Sequence, residues 1–153
     1  MRRILLISLI AVLLFSGCIK QPNMDELADD GRYHYRNNEL GFSVVFPQEF
    51  IYYQTQRKNY REYVIMEYFV PTNDVDLSTD VPGYAKPVEI RIFTSENWDE
   101  ILEGEISGTE YIKLGEKKER TYTIKFWERI PVDWTERWNN ELKQGIIDSF
   151  EIK

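Results

Sequence analysis

Residues 62–70 restrict the fold more than any other stretch of the chain. On an extended backbone successive side chains point to opposite faces. Tyr63, Ile65 and Phe69 therefore share one face, and Val64, Met66, Tyr68 and Val70 share the other. A strand that is largely apolar on both sides must be covered on both sides, so it belongs in the middle of a sheet. Pro71 has no N–H to give to a ladder and ends the strand.

The flanking segments supply the rest of the sheet. A short strand is expected over 33–36, then turn chemistry at Asn37, Asn38 and Gly41. Phe42, Val44 and Phe46 alternate on one face of a half-buried strand that Pro47 stops. Residues 50–53 extend a further strand, and the polar 54–59 segment reads as a turn. Residues 71–87, with Pro71, Pro82, Pro87 and Gly83, read as a loop. Over 88–93, Val88, Ile90 and Ile92 point inward while Glu89 and Arg91 point outward. Thr94 or Ser95 caps a helix from Glu96 whose stripe is Trp98, Ile101 and Leu102, with Gly104 and Gly108 at its exit. A hairpin follows, 110–114 and 121–127 across 115–118; Tyr122, Ile124 and Phe126 face one way and Thr121, Thr123 and Lys125 the other. Asp133 with Glu136 resembles a capping box, and Trp134, Trp138, Leu142 and Ile146 recur every four residues as the stripe of a last helix. A terminal strand is expected over 150–152. Hairpins predominate and two amphipathic helices need a sheet to cover, so the expected class is α+β, an antiparallel sheet flanked by α-helices.

The N-terminus has a different composition. Arg2 and Arg3 precede an apolar run over 4–15, and Ser16-Gly17-Cys18 closes it. A positive start, a short apolar run and small residues are the layout of a secretory signal, and the run is shorter than the roughly 20 residues of a spanning helix. The Gly17-Cys18 ending resembles the lipobox of bacterial-type lipoproteins, with Phe15 in place of the usual leucine. That resemblance implies removal of residues 1–17, a lipidated Cys18, and a cell-membrane location on the extracytoplasmic face. Residues 18–32 are then a polar tether and 33–153 a single domain. The mature chain has 136 residues, long enough for one core, with 17 basic against 26 acidic residues and a net charge of −9. Cys18 is the only cysteine, so no disulfide and no cysteine metal site is expected. The acidic balance argues against nucleic acid as a partner.

A second resemblance covers most of 33–153. Tyr35-Arg36-Asn37, then Leu40-Gly41-Phe42-Ser43-Val44-Val45-Phe46-Pro47 and Phe50, is similar to the opening of PsbP-like domains. Ile146-Ile147-Asp148-Ser149-Phe150 is similar to their close. The resemblance implies an antiparallel sheet with helices on both faces, an α/β/α sandwich shared with the Mog1-like group. It also implies action by binding other proteins, photosystem subunits in the plant case. No family site carries over to this chain.

The candidate chemistry is sparse. His34 is the only histidine, and neither an orienting carboxylate nor a nucleophile is evident beside it. No serine sits in a nucleophile elbow. Asp74, Asp76 and Asp80 lie in a stretch resembling the start of a calcium loop, since hard cations want several oxygens on a short curved segment. Thr79 then replaces the needed glycine and Ala85 the bidentate glutamate, so a solvated acidic loop is the expected reading and no metal or other cofactor is required. Tyr52, Tyr53 and Tyr60 neighbour the polar 54–59 segment and are the expected partner-binding surface. The expected role is a non-catalytic binding or scaffolding module for another protein at a membrane surface. The alternative is a small extracytoplasmic hydrolase using acidic residues.

Overall fold

The structure is a computed structural model that describes residues 27–77, 80–103 and 111–153, with the side chains of 101–103 left out. The signal segment, Cys18, Ser78, Thr79, Gly104, Gly108 and the Ile101 and Leu102 side chains lie outside the described residues.

Two antiparallel sheets form the domain. The larger contains β3 (Gln54–Asn59), β4 (Tyr63–Pro71), β5 (Tyr84–Thr94), β6 (Ile112–Lys117) and β7 (Arg120–Phe126), in the order β3-β4-β5-β7-β6. The smaller contains β1 (Tyr33–Asn37), β2 (Phe42–Phe46) and β8 (Glu151–Ile152), in the order β1-β2-β8. The residues expected to point inward do so. Phe42, Val44 and Phe46 are fully buried on β2, and Val88, Ile90, Ile124 and Tyr68 are equally closed off on the large sheet. Each such side chain contributes roughly 1.5–3 kcal/mol on burial. Aromatic contacts join the sheets, with Tyr35 edge-on to Tyr68 at 5.1 Å and Phe46 at 4.7 Å from the same ring. The Tyr122 hydroxyl donates to the Leu40 carbonyl at 2.9 Å, fastening β7 to the β1–β2 turn.

The class is α+β and the pairing antiparallel, but the layers differ from the expected sandwich. The inner face of the large sheet is covered by the small sheet. The helices α1 (Ser95–Glu103) and α2 (Asn140–Asp148) have nine residues each. Such a helix is about 14 Å long, shorter than the roughly 19 Å between the outer strands of a five-stranded sheet. Neither makes a layer. α1 sets Trp98 against Phe93 at 5.6 Å on the outer face, and α2 lies beside β2 and buries Ile146.

Several local expectations are corrected. Residues 54–59 form the edge strand β3 and not a turn; their side chains are polar, but their backbone pairs with β4 throughout. Residues 48–50 form a 3-10 turn followed by Tyr52 at φ 61°, so no strand runs through 50–53. β5 begins before Pro87, which sits where the β4–β5 register shifts and no ladder N–H is required. The β6–β7 hairpin turns at Lys118 and Glu119, both at positive φ, which suits a two-residue turn matching the strand twist. The last helix starts at Asn140 and not at Trp134. Asn139 is extended, and its side chain accepts from the Leu142 N–H. Asp133 instead accepts from the Thr72 hydroxyl at 2.7 Å and the Asn73 N–H at 3.0 Å. Trp134 and Trp138 are buried all the same, joined by a single helical turn. Gly115 needs its freedom: φ is 157° and Ile152 Cδ1 lies 2.9 Å from where a Cβ would stand.

Trp138 packs on Trp127 at 4.9 Å and on Phe126 at 5.5 Å. Trp138→Ala should therefore cost about 3–5 kcal/mol, read as a lowered urea midpoint at unchanged slope. A loss below 1 kcal/mol would place Trp138 outside the core.

Candidate functional site

The antiparallel register lines up charges on the outer face of the large sheet. Gln56 opposes Glu67, Glu67 opposes Glu89 and Glu89 opposes Lys125, one row across four strands. The next row on that face runs Lys58, Ile65, Arg91 and Thr123. Two carboxylates directly opposite one another destabilise a sheet unless they are neutralised. Here Lys58 Nζ lies 2.8 Å from Glu67 Oε2, and Lys86 Nζ donates to Glu67 Oε1 at 2.7 Å. Lys86 also reaches Glu89 at 3.5 Å, and Arg91 holds Glu89 at 2.5 Å. The Arg91 guanidinium is itself held between the rings of Tyr63 and Tyr111, at 4.7 and 4.8 Å.

Glu67 is only 2% exposed. Burial pushes its carboxyl up, but hydrogen bonds from Lys58 and Lys86 outweigh that and hold it below its ordinary value. It is therefore ionised at neutral pH and has no proton to give. The hydrogen bond to Glu67 in turn raises Lys58.

Beside this row a cleft of about 320 Å³ opens to solvent. Lys86, Glu89 and Lys125 form its floor, and Phe69, Phe126 and Trp127 its apolar wall. Asp80, Glu128 and Arg129 stand at the rim. Lys125 pairs with Glu128 at 3.1 Å, and Arg129 reaches the Asp76 carbonyl at 3.4 Å. The combination of an aromatic wall with charges of both signs suits recognition of a side-chain-bearing polar surface.

The expected surface residues do not come together. Tyr53 is buried, its ring 5.5 Å from Phe46 and 5.7 Å from Tyr33, so it belongs to the core. Tyr52 precedes β3 and Tyr60 follows it, which sets them at opposite ends of a six-residue strand. Tyr60 stacks on Tyr63 at 4.8 Å. His34 does have a carboxylate beside it: Asp30 Oδ2 lies 2.8 Å from Nε2, both side chains about half exposed, and the hydrogen bond to His34 lowers Asp30.

The oxygens of Asp74 accept from the backbone N–H of Asp76 and of Val132, each at 3.0 Å, so this acid pins the 72–77 loop to the segment before Trp134. Asp80 leans toward Lys58 at 4.0 Å. Asp76 is exposed. Among the described residues no three His, Cys, Asp or Glu side chains gather as a ligand set.

Sequence spacing does not single out Glu67, and it sets Glu89 and Arg91 on an outward face. The available signal was an acid in the middle of an otherwise apolar strand. Such a residue needs cations on neighbouring strands, which Lys58 and Lys86 supply.

The depressed Glu67 carboxyl adds stability that is full above the ordinary value of 4.5 and is lost as pH falls through its lower folded value. In a Lys58→Met, Lys86→Met double variant burial is unopposed. The folded value of Glu67 then rises above the ordinary one and the sign inverts, so stability is lost as pH rises from about 4 toward neutrality. The cost at neutral pH should be about 3–5 kcal/mol. Urea midpoints collected across that range for both proteins test this; parallel pH profiles would refute it.

Comparison with protein-family models, with curated proteins and with solved structures finds no match, and the cleft stands on its own geometry.

Proposed function

We propose that the protein is a lipid-anchored extracytoplasmic binding module that holds another protein at a membrane surface. The observation that carries this reading is the cleft itself. Its aromatic wall and Arg129 are of the residue types that dominate protein recognition, and the buried carboxylate beside it is already neutralised by two lysines. An ionised, doubly paired Glu67 suits a fixed support beneath the floor residue Lys86 better than a proton donor in hydrolysis. The anchor rests on the ordering of Arg2, Arg3, the apolar run and Ser16-Gly17-Cys18.

The finer fold assignment, a PsbP/Mog1-like domain, belongs to the same proposal. It is supported by the opening hairpin β1–β2 and by the closing α2–β8 segment, which returns to pair with β2. A family that acts by binding other proteins agrees with a cleft built for contact.

Two measurements test the reading. Intact mass of the membrane-extracted protein should begin at Cys18 and include acyl chains, and Cys18→Ser should release the domain from membranes. Lys125→Gln with Arg129→Glu should leave the unfolding free energy within about 1 kcal/mol of the parent and abolish co-purification of the partner obtained with the lipidated parent. Retention of that partner by the folded double variant would rule out the cleft as the contact surface.

A further inference from the structure

The large apolar side chains left exposed are concentrated at one end of the domain. Of seven among the described residues, five are Leu27, Ile51, Tyr52, Val75 and Val132; Tyr60 and Ile112 lie elsewhere. The five share an end because the fold brings their segments together there. Tyr33, where the chain enters β1, pairs with Phe46, and Pro47 then leads through the 3-10 turn to Ile51 and Tyr52. The Phe50 ring meets Trp134 at 6.0 Å, next to Val132. The Val132 N–H donates to Asp74, the neighbour of Val75.

Tyr52 is 75% exposed and held at φ 61°. Positive φ is unfavourable for a bulky residue, and such strain persists only where the surrounding structure imposes it. Here it follows the buried Phe50 and precedes the buried Tyr53, so the core residues on either side fix the backbone and hold the Tyr52 ring outward.

We infer that this end of the domain seats on the lipid surface to which Cys18 holds it, with Ile51, Tyr52 and Val132 entering the interfacial layer. The inference rests on the lipid anchor proposed above. What selects lipid as the occupant is where the tether joins the fold: residues 18–32 end at Tyr33, on this same end. Residues 28–32 close a hydrogen-bonded turn before β1, and a random coil of nine residues, the length of 18–26, has an r.m.s. reach of roughly 17 Å. At that reach the second contact is intramolecular, and a patch too small to bind a bilayer from solution becomes effective. An amphipathic tyrosine ring suits the headgroup boundary. Asp29, Asp30, Glu49, Asp74, Asp76 and Asp133 outnumber Arg32, Arg129 and Arg137 at this end, and an acidic surface is repelled by anionic lipid, so the surface is zwitterionic lipid and not an anionic one.

Membrane-extracted, acylated protein reconstituted into phosphatidylcholine vesicles provides the test. With the Cys18 thiol taken up by lipid, Tyr52→Cys, Val132→Cys and Arg61→Cys each offer one thiol for a nitroxide label. Arg61 marks the opposite end, in the β3–β4 turn. Labels at 52 and 132 should show a several-fold higher ratio of collisions with oxygen to collisions with an aqueous nickel chelate than the label at 61. Acylated protein with all three labels equally aqueous, or all three equally embedded, overturns the docking and leaves the anchor intact. An unmodified Cys18 thiol by intact mass removes the anchor, and the docking with it.

Discussion

The large sheet cannot exist without a cover for its inner face, and the small sheet is that cover. Met66, Tyr68, Val70, Val88, Ile90 and Ile124 would otherwise face water. Phe42, Val44 and Phe46 close over them from a strand paired on one side by β1 and on the other by β8. Because β1 opens the domain and β8 closes it, the first and last elements must both be in place before the core is sealed. The Ser149 hydroxyl reinforces this, accepting from the Val45 N–H at 3.0 Å and donating its one proton to the Ile146 carbonyl at 2.8 Å. Contacts of such wide separation close slowly, since loop-closure entropy opposes them.

The opposite face of the same sheet solves another problem. It is partly covered by α1, and beside that helix the sheet holds charges instead of a second core. Glu67 and Glu89 are tolerated because three cations on neighbouring positions face them. Replacing such a network with apolar residues often stabilises a protein, so its presence is weak evidence for a purely structural purpose. The network also holds Lys86 and Glu89, which line the adjoining cleft, in fixed positions.

Burial was more legible in the sequence than backbone course. The alternation at 42–46, 62–70, 88–93 and 121–127 identified inward residues, because which side chains must leave water is written in their spacing. The four-residue recurrence of Trp134, Trp138, Leu142 and Ile146 marked a buried side correctly yet placed the helix start too early; spacing reports burial and is silent on the extended Asn139 that interrupts the backbone. The β3 segment was misread for the converse reason: a polar edge strand has no apolar face to reveal it, and only pairing with β4 defines it. The candidate site was least legible of all. Glu67 becomes meaningful only when β3 and β5 bring Lys58 and Lys86 beside it, and no local pattern records that meeting.

The five-pair ladder between β1 and β2 has a mechanical consequence. The chain enters β1 at Tyr33 from a hydrogen-bonded turn over 28–32, while the bulk of the domain lies beside and beyond the strand. Once that turn has opened, a pull on the chain ahead of β1, balanced by a load on the body of the domain, acts along β1 and not across it. The backbone hydrogen bonds to β2 are then strained together, in shear, and do not open one at a time from a free corner. The opposite terminus is fastened differently: the Lys153 N–H donates to the Gly41 carbonyl at 2.8 Å, and β8 adds only two paired positions. Traction at the C-terminus would peel that short strand away from β2 first, so the domain resists force better from its N-terminal end.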